Sequence, residues 1–348
     1  HTAHGYMHAV CTDLGMRCAE GYSAHYEDLL KQEGRWQLQR FFRCFLDGVA
    51  AGAPGELRFP PLGQGPPPYE PGEVPAVPAD PGAPRTVLIT DAHPSDPADA
   101  SLREMIQIFI RRSPGPVEVL HLEDFKIKGG CLGCVRCAED EQCVYNDGFA
   151  KTFRDKVLTA DGVIYAGRMR DRFLSAAWKQ YMDRNFVFGH RPTLEGKQVG
   201  LIVSGPAAST PYLMHTLEGL KETVGSNGCG FVCDDMGDAE VITAQLDGMA
   251  RRVAAGALAG LVRPASFLGV GGRLIFRDLV YRMEPLFRAD AQHYRAAGML
   301  TYPHQEPTTR FNRLFLRLGA ATRPGRKYIF GNLPELKMAA LKKVVDRM

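Results

Sequence analysis

The chain has 348 residues, which at roughly 100–200 residues per domain allows two domains or one domain with large extensions. Hydrophobic residues make up 45% and charged residues 23%, a globular balance that excludes a wholly disordered, collagen-like or coiled-coil chain. The formal net charge of +3 hides a segregation: residues 262–348 carry 16 Lys/Arg against 6 Asp/Glu, so the basic charge is concentrated in the tail.

In chain order, residues 1–53 read as a helix, a short extended piece around Met16–Ala19 and a long helix through Glu27–Ala51. The run Val49-Ala50-Ala51-Gly52-Ala53 recurs as Val253-Ala254-Ala255-Gly256-Ala257, so 1–53 reads either as a helical fragment or as the trailing part of a truncated second flavodoxin-like domain. Residue 1 is His and the sequence begins inside a helical pattern, as a processed chain or a fragment would. Residues 54–84 hold 11 of the 24 prolines and predict a semi-rigid, extended linker. From 85 to 262, β-type runs at Thr86–Thr90, Val117–Leu122, Gly162–Ala166, Gln198–Ser204 and Gly230–Asp234 alternate with helical stretches at Ala100–Arg112, Phe149–Leu158, Leu174–Arg184, Leu213–Val224 and Ala239–Leu261. Such alternation predicts an α/β fold with a doubly wound, five-stranded parallel sheet, followed over 263–348 by a basic helical extension. Ligands of such sheets bind beyond the carboxyl ends of the strands. No run approaches the roughly 18 consecutive apolar residues of a membrane span, and no signal-peptide pattern opens the chain, so the expected compartment is the cytoplasm.

Nine cysteines is an odd number, and four of them crowd together as Cys131, Cys134, Cys137 and Cys143, spaced C-x2-C-x2-C-x5-C. Clustered thiols in a large chain point to metal or redox chemistry and away from a disulfide framework. Gly129, Gly130 and Gly133 ease the tight backbone curl that four converging thiolates need. An iron-sulfur cluster, a tetrahedral zinc and a loop of reduced thiols binding nothing all satisfy the spacing.

The order of elements around this loop resembles the NADPH-dependent FMN reductases and iron-sulfur flavoproteins, which are flavodoxin-like. Carrying the resemblance are Cys143-Val144 with Asn146-Asp147, Ala160-Asp161-Gly162 before the third strand, Ser175-Ala176 followed by Lys179 and Asp183-Arg184, and Leu194-Glu195-Gly196-Lys197 before the fourth. Together they span about half the chain. The resemblance implies FMN at the strand ends, electrons from NAD(P)H or a reduced carrier, and onward transfer through a four-iron four-sulfur cluster held by Cys131, Cys134, Cys137 and Cys143. It also implies that a loop after the first strand holds the FMN phosphate at a helix N-terminus, where amides and the dipole favour an anion.

At that loop the chain departs from the family, carrying Asp91-Ala92-His93-Pro94-Ser95-Asp96-Pro97-Ala98-Asp99 in place of a Gly-Ser turn. Proline removes N–H donors, and three carboxylates repel a phosphate dianion, leaving Ser95 and Ser101 as hydroxyl donors or ordinary helix caps. After the third strand, Gly167-Arg168-Met169-Arg170 with Arg172 reads as a loop whose guanidiniums recruit the phosphate instead. Ser204-Gly205 after the fourth strand suits a flavin edge. Lys179 and Asp183 read as a structural helix pair, and Trp178 as core.

Partners follow from the same reading: a redox carrier or small-molecule electron acceptor, a second copy of the chain, and no nucleic acid, since no nucleic-acid motif accompanies the basic tail. The apolar stripe Leu274, Ile275, Leu279, Met283, Leu286 and Phe287 predicts packing against the acidic α/β domain in preference to an anionic membrane surface. The competing class is a non-enzymatic binding or dimerisation module with a degenerate flavin site.

Overall fold

The computed structural model describes residues 2–302 apart from positions 25, 57 and 189, together with scattered positions beyond 302, so much of the expected extension lies outside the described residues. The chain divides into two compact units, His1–Asp290 and Ala291–Met348. In the first unit, helices α1 (Thr2–Asp13), α2 (Tyr26–Leu30) and α3 (Gln32–Ala50) precede the sheet, and α3 buries none of its residues. The sheet alternates with helices in the order β1 (Thr86–Thr90), α4 (Ala100–Arg112), β2 (Val117–His121), α5 (Cys137–Asp140), α6 (Phe149–Thr152), β3 (Gly162–Arg170), β4 (Phe173–Leu174), α7 (Ala176–Arg184), β5 (Gln198–Ser204), α8 (Pro211–Thr223), β6 (Asn227–Cys233) and α9 (Ala239–Leu258). After these come α10 (Phe267–Arg282) in the same unit and α11 (Arg288–Ala296), which begins at the end of the first unit.

Five strands run parallel in the spatial order β2-β1-β3-β5-β6, the flavodoxin-like arrangement, and β4 adds a short antiparallel hairpin to the end of β3. Both sheet faces are apolar, as parallel sheets require. Val87, Ile89, Val163, Val199, Leu201 and Val203 point into a core with Phe125, Phe149, Tyr181 and Leu213, while Leu88, Ile164 and Ile202 meet Met105, Phe109, Leu246 and Met249 of α4 and α9 on the other face. Each such aliphatic side chain, fully buried, contributes about 1.5–3 kcal/mol.

The last strand starts three residues before the expected Gly230, at Asn227, the helix expected over Phe149–Leu158 is α-helical only to Thr152, and two further segments differ from the sequence expectation. β3 does not stop at Ala166: it continues through Arg170, because Met169 and Arg170 pair with Leu174 and Phe173 across a turn at Asp171, whose φ is 53°. Residues 54–84 have no regular structure but are tied down. The Tyr69 amide donates to Ser101 Oγ at 2.9 Å, its hydroxyl meets Thr243 at 2.6 Å, and the Val77 amide donates to the Arg111 carbonyl at 2.9 Å. The N-terminal segment is anchored by Arg172, fully buried, whose guanidinium bonds both Asp13 oxygens at 2.6 and 2.5 Å and the Pro60 carbonyl at 2.6 Å. α10 packs on α8, burying Val280, while Ile275 and Leu286 of the expected stripe are exposed.

Candidate redox site at the strand ends and the cysteine loop

The carboxyl ends of β1 and β3 mark the topological switch point, where the chain leaves in opposite directions and a crevice is expected. In this chain the two ends are clamped together. Asp96 caps a short 3-10 turn, Pro97–Asp99, by accepting from the Ala98 amide at 2.9 Å. Asp99 is 1% exposed and accepts from the His93 amide at 2.9 Å and from Arg168 Nε at 2.5 Å. Arg168 also reaches Asp96 at 3.4 Å, and Arg170 lies 3.6 Å from Asp99 and 3.8 Å from Asp96. From α4, Arg103 donates to the carbonyls of His93 and Asp96 at 2.7 and 2.6 Å, closing the loop. Hydrogen bonding by the Ala98 amide holds the Asp96 carboxyl below the usual carboxylate range, with Arg168 adding to the effect.

The phosphate expected here meets filled seats. The loop amides of His93 and Ala98 already donate to the Asp99 and Asp96 carboxylates, and Arg168 and Arg170 are paired with them. These residues, as arranged, do not fit the FMN phosphate.

Other residues singled out from the sequence are spent elsewhere. Ser101 serves Tyr69, and Ser95 hydrogen-bonds His93 Nδ1 at 3.2 Å on the surface. Met169 sits in the core, and Gly167 is pressed against Trp178 so closely that a Cβ would stand 2.5 Å from Nε1. Ser204 Oγ and the Gly205 amide both donate to Asp234 at the end of β6, at 2.5 and 2.8 Å. Burial pushes the Asp91 and Asp234 carboxyls up, more than their hydrogen bonds lower them. Lys179 and Asp183 form the helix pair read from their spacing.

Across β2, the loop of residues 126–148 brings Cys131, Cys134, Cys137 and Cys143 onto one small cavity, with Leu132, Val135 and Arg184 also lining it. The loop curls through left-handed conformations at Gly133 (φ 64°) and Val135 (φ 59°), the second uncommon for a β-branched residue. Cys131 and Cys134 are exposed, Cys137 and Cys143 half-buried. Burial, with the neighbouring Cys131 second, pushes the Cys137 thiol up to about 11. Among the described residues no three Cys, His, Asp or Glu side chains converge at metal-binding distance. The donor set still suits a thiolate-ligated group in kind, four soft sulfurs on one wall with tight loop spacing.

Sequence reasoning missed the anchor of this loop. Arg184 forms a two-pronged bridge to Asp147 at 2.6 and 2.9 Å, both side chains 1% exposed, and it donates to the Gly129 carbonyl at 3.3 Å. Its guanidinium lies 4.6 Å from the Tyr145 ring centroid and 5.0 Å from that of Phe149. Burial alone would raise the Asp147 carboxyl, but hydrogen bonds from Arg184 and from the Lys128 and Phe149 amides outweigh it and leave it below the ordinary value. Asp147 and Arg184 had already stood out as family-like residues, yet nothing in the sequence paired them.

A separate cavity lies against β3, β5, α7 and α8, with Lys221 its one charged lining residue and no thiol on its wall.

The strand order and the crevice at its carboxyl edge define a flavodoxin-like α/β protein. Residues 101–228 match the model of the NADPH-dependent FMN reductases. It is similar to an "Iron-sulfur flavoprotein" of Archaeoglobus fulgidus, 31% identical over 150 residues, a match covering 41% of this chain and 65% of the relative. Less than two thirds of that relative's length is therefore spanned. Among solved structures, a flavone reductase matches at a TM-score of 0.38 and 13% identity over 50% of this chain and 63% of its own, and an azoreductase at 0.35 and 16% over 49% and 99%. Scores this low add nothing to the strand order. No helix among the described residues is long and apolar enough to cross a membrane.

Proposed function

We propose that the chain is a flavodoxin-like oxidoreductase of the FMN reductase type whose electron-handling centre is the cysteine loop. The observation that carries this reading is the placement of Cys131, Cys134, Cys137 and Cys143 on one cavity whose loop is pinned by the buried Arg184–Asp147 bridge. These four residues would hold an iron-sulfur cluster, which when bound supplies one-electron transfer. The chain's own part is to supply thiolates, lose the Cys137 proton that burial retains, and keep the loop curled, with the Arg184 cation beside the sulfurs. A reduced one-electron carrier is the proposed donor, since a cluster takes electrons singly while NAD(P)H gives a hydride, and a redox carrier or small molecule the acceptor. A homo-oligomer is the proposed assembly, supported by the exposed Trp36, Phe42, Phe45 and Leu46 of α3.

Anaerobic reconstitution with iron and sulfide is expected to give about four irons per chain and a broad visible absorbance, both abolished by Cys134→Ala. A colourless, metal-free protein after reconstitution overturns the reading. It would leave the second one, a non-enzymatic binding module, which the filled seats at the switch point favour.

A further inference from the structure

The clamp between β1 and β3 has the parts of an anion site. Three guanidiniums, from Arg103, Arg168 and Arg170, border the start of α4, and the His93 amide points inward at the same place. A forked cation and an inward-pointing loop amide are what a phosphate monoester needs. Here the anion is internal: Asp99, 1% exposed and 69 residues from Arg168 in sequence, takes one hydrogen bond from the guanidinium and one from the amide. Asp96 pairs with the outward side of both arginines.

We infer that Asp99, backed by Asp96, is a built-in substitute for the phosphate, so that the switch point turns away phosphate-bearing flavin while these carboxylates are in place. Charge explains the selectivity. Two carboxylates cancel the charges of Arg168 and Arg170, so a dianion entering between them finds only Arg103, whose Nη1 is already taken by the His93 and Asp96 carbonyls. Asparagine at both positions keeps the size and the amide-accepting oxygen but frees two guanidiniums. The inference rests on the family reading only for the identity of the ligand, and it concerns the β1–β3 crevice, not the thiols.

The test uses the full chain and three probes: inorganic phosphate, FMN and riboflavin. Wild type is expected to show no rise in melting temperature with millimolar phosphate and no preference for FMN over riboflavin in a fluorescence titration. The Asp96→Asn/Asp99→Asn variant should be stabilised by phosphate and bind FMN at least tenfold more tightly than wild type does, with Arg168→Met on that background removing both gains. A tenfold wild-type preference for FMN over riboflavin overturns the inference without any variant. So does a folded double variant that gains neither phosphate stabilisation nor FMN. Where the double variant does not fold, Asp99→Asn alone carries the same expectations. Iron content and visible absorbance are read in parallel, so a failure of the cysteine-loop reading shows there and a failure of the clamp shows in the flavin titration.

Discussion

Replacing Arg184 by Met tests whether one buried ion pair holds the cysteine loop in place. The substitution keeps the aliphatic stem and removes the guanidinium, leaving Asp147, 1% exposed, with only the Lys128 and Phe149 amides as donors, each at 3.2 Å. Breaking a buried pair from one side costs about 3–5 kcal/mol, most of it the stranded charge. Two surviving amide donors place this case near the lower end, about 3 kcal/mol, or a fall in melting temperature of about 6–12 °C. Loss of the Gly129 carbonyl contact loosens the loop as well, so the half-buried Cys137 should react with a thiol reagent at least about tenfold faster while exposed Cys131 and Cys134 change little. Thermal unfolding followed by circular dichroism gives the first number, and stopped-flow thiol titration of the metal-free chain the second. Arg184→Met with Asp147→Leu should recover much of the stability, since no uncompensated charge then remains. A single variant within about 0.5 kcal/mol of wild type, with unchanged Cys137 kinetics, would refute the reasoning.

Gly167→Ala drives a Cβ to 2.5 Å from Trp178 Nε1 inside the core, and the cost of overpacking there should be about 1–3 kcal/mol in a urea melt; a neutral result would show that Trp178 yields freely. Acid should weaken the chain through Asp13, whose carboxyl the Arg172 hydrogen bonds hold below its usual value despite burial. A carboxyl depressed in the folded state stabilises above its unfolded pKa of about 4, and that contribution disappears as pH falls through the folded value. Urea melts should therefore be nearly flat from pH 7 to about 5 and decline below about 4, with Asp13→Asn less stable at pH 7 and less sensitive to acid. An Asp13→Asn chain with the wild-type acid slope would assign the decline to other carboxylates.

What the sequence by itself determined is local in origin. The strands at Thr86–Thr90 and Gln198–Ser204 are legible because a parallel strand covered on both faces is apolar along its length, and α4 because its buried residues, Leu102, Met105, Ile106 and Phe109, recur at helical spacing. The cysteine spacing is equally local, since a loop that gathers four thiols must place them within a few residues of one another. Charge misled the reading of Arg168–Arg170 as a loop: arginines on a strand end are stable there only because Asp96 and Asp99 stand opposite them, and those partners belong to another strand's loop. Ser101, Ser204 and Gly205 looked like donors to a ligand, but their partners, Tyr69 and Asp234, arrive from 32 and about 30 residues away in sequence. Only the tertiary structure decided these pairings, and likewise Asp147 with Arg184, because an ion pair needs two side chains within about 4 Å and carries no periodic trace along the chain. The parallel register of β1 on β3 sets Thr90 beside Ala166, and that one adjacency turns an acidic loop and a basic strand end, each unsuited to its surroundings alone, into a charge-paired clamp.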